Sequence, residues 1–180
     1  MPTEISGSTG VNKIQDGTVV NADINSSAAI AGSKLVMPTG SVLQVVQNTT
    51  TTTTHITNTT TLTTATDLNV TITPSSSSSK ILVTVNTGGL ILGTTDAILF
   101  NMLRDSTTIV ARARQGYNSS SAQEWSSLPF VMSYLDSPST ASAITYSFKI
   151  GMSASSNCHL QINSGTGTND GIVTAMEIAG

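Results

Sequence analysis

The sequence predicts an all-β protein: an antiparallel, jelly-roll-like sandwich of about eight or nine strands behind an extended N-terminal arm. Three observations point there. Short apolar runs of period two recur from residue 41 onwards, separated by turns rich in Pro, Gly, Ser and Asp. Thr, a β-branched residue that favours extended backbone, fills 30 of 180 positions, beside 26 Ser. No segment reads as a long helix, and the one short candidate lies in the arm.

Residues 1–38 form that arm. Their large apolar positions, Ile14, Val19, Ile24, Ile30 and Leu35, are five or six residues apart. This spacing fits neither the helix period nor the strand period. They read as pegs that dock into another protein or against sister copies. Asp16-Gly17 marks a turn. Ser26–Ile30 is the short helix candidate, stopping near Gly32. Fully extended, the arm reaches on the order of 120 Å at about 3.3 Å per residue.

Met37-Pro38-Thr39-Gly40 is the boundary, and residues 39–180 form the sandwich. Ser41–Gln47 is apolar on both faces. In the segment Asn48–Thr66, Thr dominates. It reads as strands around a threefold axis or a polar outer strand, with a loop as the alternative. Leu68, Val70 and Ile72 alternate with polar residues until Pro74 and five serines stop the strand. Ile81, Val83 and Val85 alternate with Leu82, Thr84 and Asn86. Ala97–Leu103 enters a hairpin turn, Arg104–Thr107, before Ile109–Arg114. Leu128–Leu135 is apolar on both faces, so it is either buried twice or lies at a subunit contact. Tyr146, Phe148, Ile150 and Met152 share one face, as do Cys158, Leu160 and Ile162. Gly171–Ala179 is the last strand.

Composition narrows the function. Charged residues are 9%, against roughly 25% in an average soluble domain. A net charge of −3 with seven Lys and Arg offers no basic surface for nucleic acid. No apolar run approaches the roughly 18 residues that a membrane-spanning helix needs. The start, Met-Pro-Thr-Glu-Ile-Ser, shows no signal peptide, and one cysteine allows no internal disulfide.

Reactive groups are sparse. Cys158 and His159 are neighbours in a strand, so their side chains point to opposite faces and cannot pair as nucleophile and base. Cys158 reads as a small core residue, and His159 as solvated. His55 could hold an ion only if three copies met on an axis. Gly165–Gly171 looks superficially like a phosphate loop, but a strand follows it where a helix N-terminus is required. The carboxylates Asp96, Asp105, Glu124, Asp136 and Glu177 are scattered, and nothing in the sequence pairs them. We expect no enzyme, no cofactor and no metal. Two binding candidates remain. Arg112 and Arg114 share a strand face and could hold carboxylates across a subunit boundary. Tyr117, Asn118, Gln123 and Trp125 combine aromatics with amides in a loop suited to recognising a sugar or protein.

Several blocks resemble a known family. Met37–Gln47 (MPTGSVLQVVQ), Val70–Val83 (VTITPSSSSSKILV), Leu103–Thr107 (LRDST), Leu135–Thr140 (LDSPST) and Thr174–Ile178 (TAMEI) are similar to the C-terminal domains of fibre-type virion proteins of tailed, especially aquatic, bacteriophages. Gly17–Leu35 (GTVVNADINSSAAIAGSKL) is similar to segments that precede such domains. The resemblance implies a short homotrimeric tail or head fibre, made in the host cytoplasm and located in the virion. Its arm would attach to another virion protein, such as a tail adaptor, portal-proximal or capsid protein. Its knob would contact a host surface glycan or protein. The chain is shorter than many tail fibres, which raises a capsid decoration or cement protein as an alternative. A stand-alone carbohydrate-binding module is a further one.

Overall fold

The computed structural model describes Ser27 and residues 35–57, 59–91, 96–118, 127–153, 159–162 and 171–180. Residues 57, 88–91, 96, 112, 114–118, 127–129 and 159–162 are described by backbone alone. The chain divides into two compact units, Met1–Val36 and Met37–Gly180. Of the first, Ser27 lies in a turn, and Leu35 and Val36 are exposed. Ile14, Val19, Ile24, Ile30 and the helix candidate apart from Ser27 lie outside the described residues.

The second unit holds ten strands and, among the described residues, no helix. They are β1 (Val42–Thr50), β2 (Thr54–Thr57), β3 (Thr63–Ile72), β4 (Lys80–Ile91), β5 (Asp96–Arg104), β6 (Thr107–Asn118), β7 (Ser127–Asp136), β8 (Ile144–Met152), β9 (His159–Ile162) and β10 (Gly171–Ile178). One four-stranded sheet runs β1-β10-β4-β7 and another runs β3-β8-β5-β6, with β2-β9 as a separate ribbon. All pairings are antiparallel. The chain changes sheet between β3 and β4, β4 and β5, β6 and β7, and β7 and β8, while β5 and β6 form a hairpin. Repeated switching of this kind is jelly-roll connectivity, and it buries one face of each sheet against the other.

Alternation sets what is buried. Ile81, Val83 and Val85 of β4, Val173 and Ala175 of β10, and Tyr146, Phe148 and Ile150 of β8 are all fully enclosed. The chain has three Phe, and all three are buried: Phe100, Phe130 and Phe148. Low aromatic content therefore does not mean a thin core, because the few large rings are spent at its centre.

The Thr-rich segment supplies the end of β1, all of β2 and the start of β3. Its hydroxyls bond locally: Thr66 N–H donates to Thr54 Oγ1 (2.8 Å), and Thr52 Oγ1 donates to Asp67 Oδ2 (2.7 Å). Asn48 Nδ2 donates to the carbonyls of Asp67 (3.1 Å) and Asn69 (2.8 Å), tying β1 to the edge of the opposite sheet. β3 thus begins at Thr63, ahead of the alternation visible from Leu68. Between them the ladder with β8 slips, and Asp67 has a φ of 58°. An interruption of period two of this kind hides the strand's start from a pattern reading.

β7 is not buried on both faces. It is an edge strand with Phe130 and Asp136 enclosed, while Val131 and Leu135 on its other face are open.

Candidate interaction face

The outer face of the β1-β10-β4-β7 sheet is built by register. On β10, Val173, Ala175 and Glu177 point into the core, which turns Ile172, Thr174, Met176 and Ile178 outward. The pairings Val45↔Met176, Met176↔Leu82 and Leu82↔Leu135 then place one apolar side chain from every strand in a single row. The next row is polar: Gln47, Thr174, Thr84 and Ser133, with Gln47 Nε2 donating to Thr174 Oγ1 at 3.0 Å. Beyond it lie Thr49, Ile172, Asn86 and Val131. At the opposite end, Val42 and Ile178 adjoin Lys80, the one charged side chain among the described outward positions.

Much of this face is open. Val42, Val45, Val131 and Leu135 are each at least half exposed. Among the described residues, all large exposed apolar side chains lie on β1, on β7 or in the segment 35–37. None lies on the other sheet, whose outer face presents Thr71, Thr145, Ser147 and Lys149. The asymmetry is chemical as well as geometric.

The buried polar groups have fixed partners. Glu177 is wholly enclosed: Oε1 accepts from Ser75 N–H (2.7 Å), Ser75 Oγ (2.6 Å) and Ser79 Oγ (2.6 Å), and Oε2 from Gln44 Nε2 (2.6 Å). Burial pushes its carboxyl up, but the bonds from Ser75, Ser79 and Gln44 outweigh this and hold it below its ordinary value. Asp136 accepts from Arg104 Nη1 (2.9 and 3.1 Å) and from Tyr146 Oη (2.8 Å). Burial, then the bond to Asp136, push the Tyr146 phenol far above its usual value, so it stays a neutral donor. Glu177 and Asp136 lie in one inward row on either side of Ile81. Neither is aimed at an open cleft, as a general acid or nucleophile would have to be.

These networks join the blocks that carry the family resemblance. Gln44, Ser75, Ser79 and Glu177 come from three of them, and Arg104 and Asp136 from two more. The blocks are the fastenings of one end of the sandwich. The sequence showed turns and strands there but not the side-chain bonds, which connect residues up to 133 positions apart.

The other candidates fall as follows. Arg112 and Arg114 lie in β6, where Arg114 pairs with Leu99, and Tyr117 and Asn118 pair with Ala97 and Asp96 at its end. The side chains of these four, and the whole of Gln123, Glu124 and Trp125, lie outside the described residues, as does Cys158. His55 is an exposed residue of β2 opposite Gln161, and His159 pairs with Thr57. Asp105 is a turn residue whose Oδ1 accepts from Thr145 N–H (2.9 Å). Among the described residues, no three His, Cys, Asp or Glu side chains gather to hold a metal, and no helix is long and apolar enough to cross a membrane.

No family model matches the chain, and no curated protein does. Among solved structures, it is similar to infectious bursal disease virus, Gx strain, at 13% identity and a TM-score of 0.42, covering 77% of this chain and 33% of that one. It is also similar to the VP2 subviral particle of infectious bursal disease virus, at 14% identity and a TM-score of 0.40, covering 84% and 42%. The chain thus spans about a third to two fifths of the length of these matched chains. Likenesses at this level assign neither family nor function.

Proposed function

We propose that the chain is a virion structural protein, a short homotrimeric fibre of a tailed bacteriophage tail or head. Residues 39–180 form its knob. Residues 1–38 form its anchor, with Ile14, Val19, Ile24, Ile30 and Leu35 seated in another virion protein. Tyr117 and Asn118, which stand at the end of β6 and not in a loop, contact a host surface glycan or protein together with Gln123 and Trp125, and Arg112 and Arg114 face a neighbouring subunit.

The observation that carries this reading is the nearly uncharged, apolar-rowed face of one sheet. A solitary chain would have to keep that face in water, whereas an assembling one can cover it. The buried carboxylates support a non-enzymatic role, because each is held by structural partners. The role of the resembling blocks in fastening the knob supports the fibre reading further.

Imaging of intact particles with the chain tagged tests the reading, together with mass photometry of the purified chain. The expected results are a short projection on the particle and three copies in solution. Deleting residues 1–38 should leave the knob folded and abolish its incorporation. Incorporation of the truncated chain would overturn the arm's role. A regular array on the capsid would assign a decoration or cement protein. A monomer that binds glycan would assign a carbohydrate-binding module.

A further inference from the structure

We infer that copies of this chain meet through the outer face of the β1-β10-β4-β7 sheet, with the Val45–Met176–Leu82–Leu135 row at the centre of the contact. The inference rests on the homotrimer reading and specifies its surface. Two features select a second copy as the occupant.

The first is charge. Rotational symmetry brings like groups near one another, so a charged face repels its own copies. Here the described outward positions carry one charge, Lys80, at a corner of the face. The second is self-complementarity. In the row Gln47–Thr174–Thr84–Ser133, each side chain both donates and accepts. Such a row can bond to its own copy, while the Val45–Met176–Leu82–Leu135 row supplies the area that leaves water.

The face has no described aromatic platform for stacking a sugar ring. Tyr134 pairs with the inward-facing Val83 and so belongs to the opposite side of β7. The remaining rival is the chain's own arm.

The test is Leu82→Glu in the full chain, which sets carboxylates against one another at the centre of the contact. Association, read by mass photometry and sedimentation, should weaken on the order of a hundredfold while the circular dichroism spectrum stays that of the wild type. If Leu82→Glu does not fold, Thr84→Cys in a Cys158→Ser background reads the same contact. A short bismaleimide should then link copies in good yield.

A wild-type trimer that neither responds to Leu82→Glu nor crosslinks through Thr84→Cys would overturn the face and leave the homotrimer standing. A dimer disrupted by Leu82→Glu would keep the face and overturn the homotrimer. A wild-type monomer would overturn both. If hydrogen exchange then showed β4 and β10 becoming less protected when residues 1–34 are removed, the arm would be the occupant.

Discussion

Phe100 of β5 and Phe130 of β7 stack across the two sheets, their ring centroids 3.7 Å apart and their planes within 5° of parallel. Both are fully buried. They join the middle of one sheet to an edge strand of the other, and among the described residues β7 has a ladder partner only on its β4 side. The stack therefore holds down the strand that carries Val131 and Leu135 on its outer face.

Phe130→Ala should cost about 3–5 kcal/mol, the range for emptying a large aromatic site, and Phe130→Leu clearly less. Urea unfolding of the two variants checks this. A loss below about 1 kcal/mol for Phe130→Ala would mean that β7 is held chiefly by its ladder to β4.

Glu177 should make the knob acid-sensitive. Its folded-state value lies below the ordinary one, so its contribution is full above the unfolded value of about 4.3. It is lost as pH falls through the folded value. Glu177→Gln should be less stable at pH 7 by about 2–3 kcal/mol, and its stability should change less between about pH 5 and pH 2. Denaturation midpoints across that range decide it, and parallel curves for the two proteins would sink the assignment.

Tyr146→Phe removes one donor from the enclosed Asp136 and should cost about 1–3 kcal/mol. Arg104 donates to both carboxylate oxygens of Asp136, so Arg104→Met should couple to Tyr146→Phe in a double-mutant cycle. Additive losses would show that the two donors act independently.

Asp67 adopts a left-handed φ of 58° inside β3, a conformation that Asn and Gly accept and β-branched residues resist. Asp67→Val should therefore destabilise the knob by about 1–3 kcal/mol, and Asp67→Asn by less. Thermal unfolding of the pair tests this, and equal losses would point to the bond from Thr52 instead.

Trp125→Ala should weaken binding of the protein to host cells while leaving the melting temperature unchanged. A large loss of stability would move Trp125 from recognition to packing.

The strands that could be read from sequence are those with clean alternation, such as Ile81–Val83–Val85 and Tyr146–Phe148–Ile150. Their inward residues are enclosed and their neighbours lie outside or half-buried. In the Thr-rich segment strands were one of two readings, but the bounds of β2 and the start of β3 were not legible, because runs of Thr carry no apolar period to mark them. The candidate face was half-visible. The two-sided apolarity of Leu128–Leu135 left double burial and a subunit contact both open, and Val45, Met176, Leu82 and Leu135 become one row only through registers that no single strand encodes. The carboxylate networks were invisible for the same reason, since Gln44 and Glu177 meet across 133 positions.

The placement of β10 sets a schedule. Of the ten strands it leaves the ribosome last, yet it lies between β1 and β4, and among the described residues it is the only ladder partner that β1 has. The sheet that bears the apolar face therefore cannot close until nearly the whole domain has been made, a wait that local structure cannot shorten. Nascent chains with only part of the domain lack the surface on which copies would recognise one another. The Val45–Met176–Leu82–Leu135 row therefore exists only in a chain whose last strand has been made.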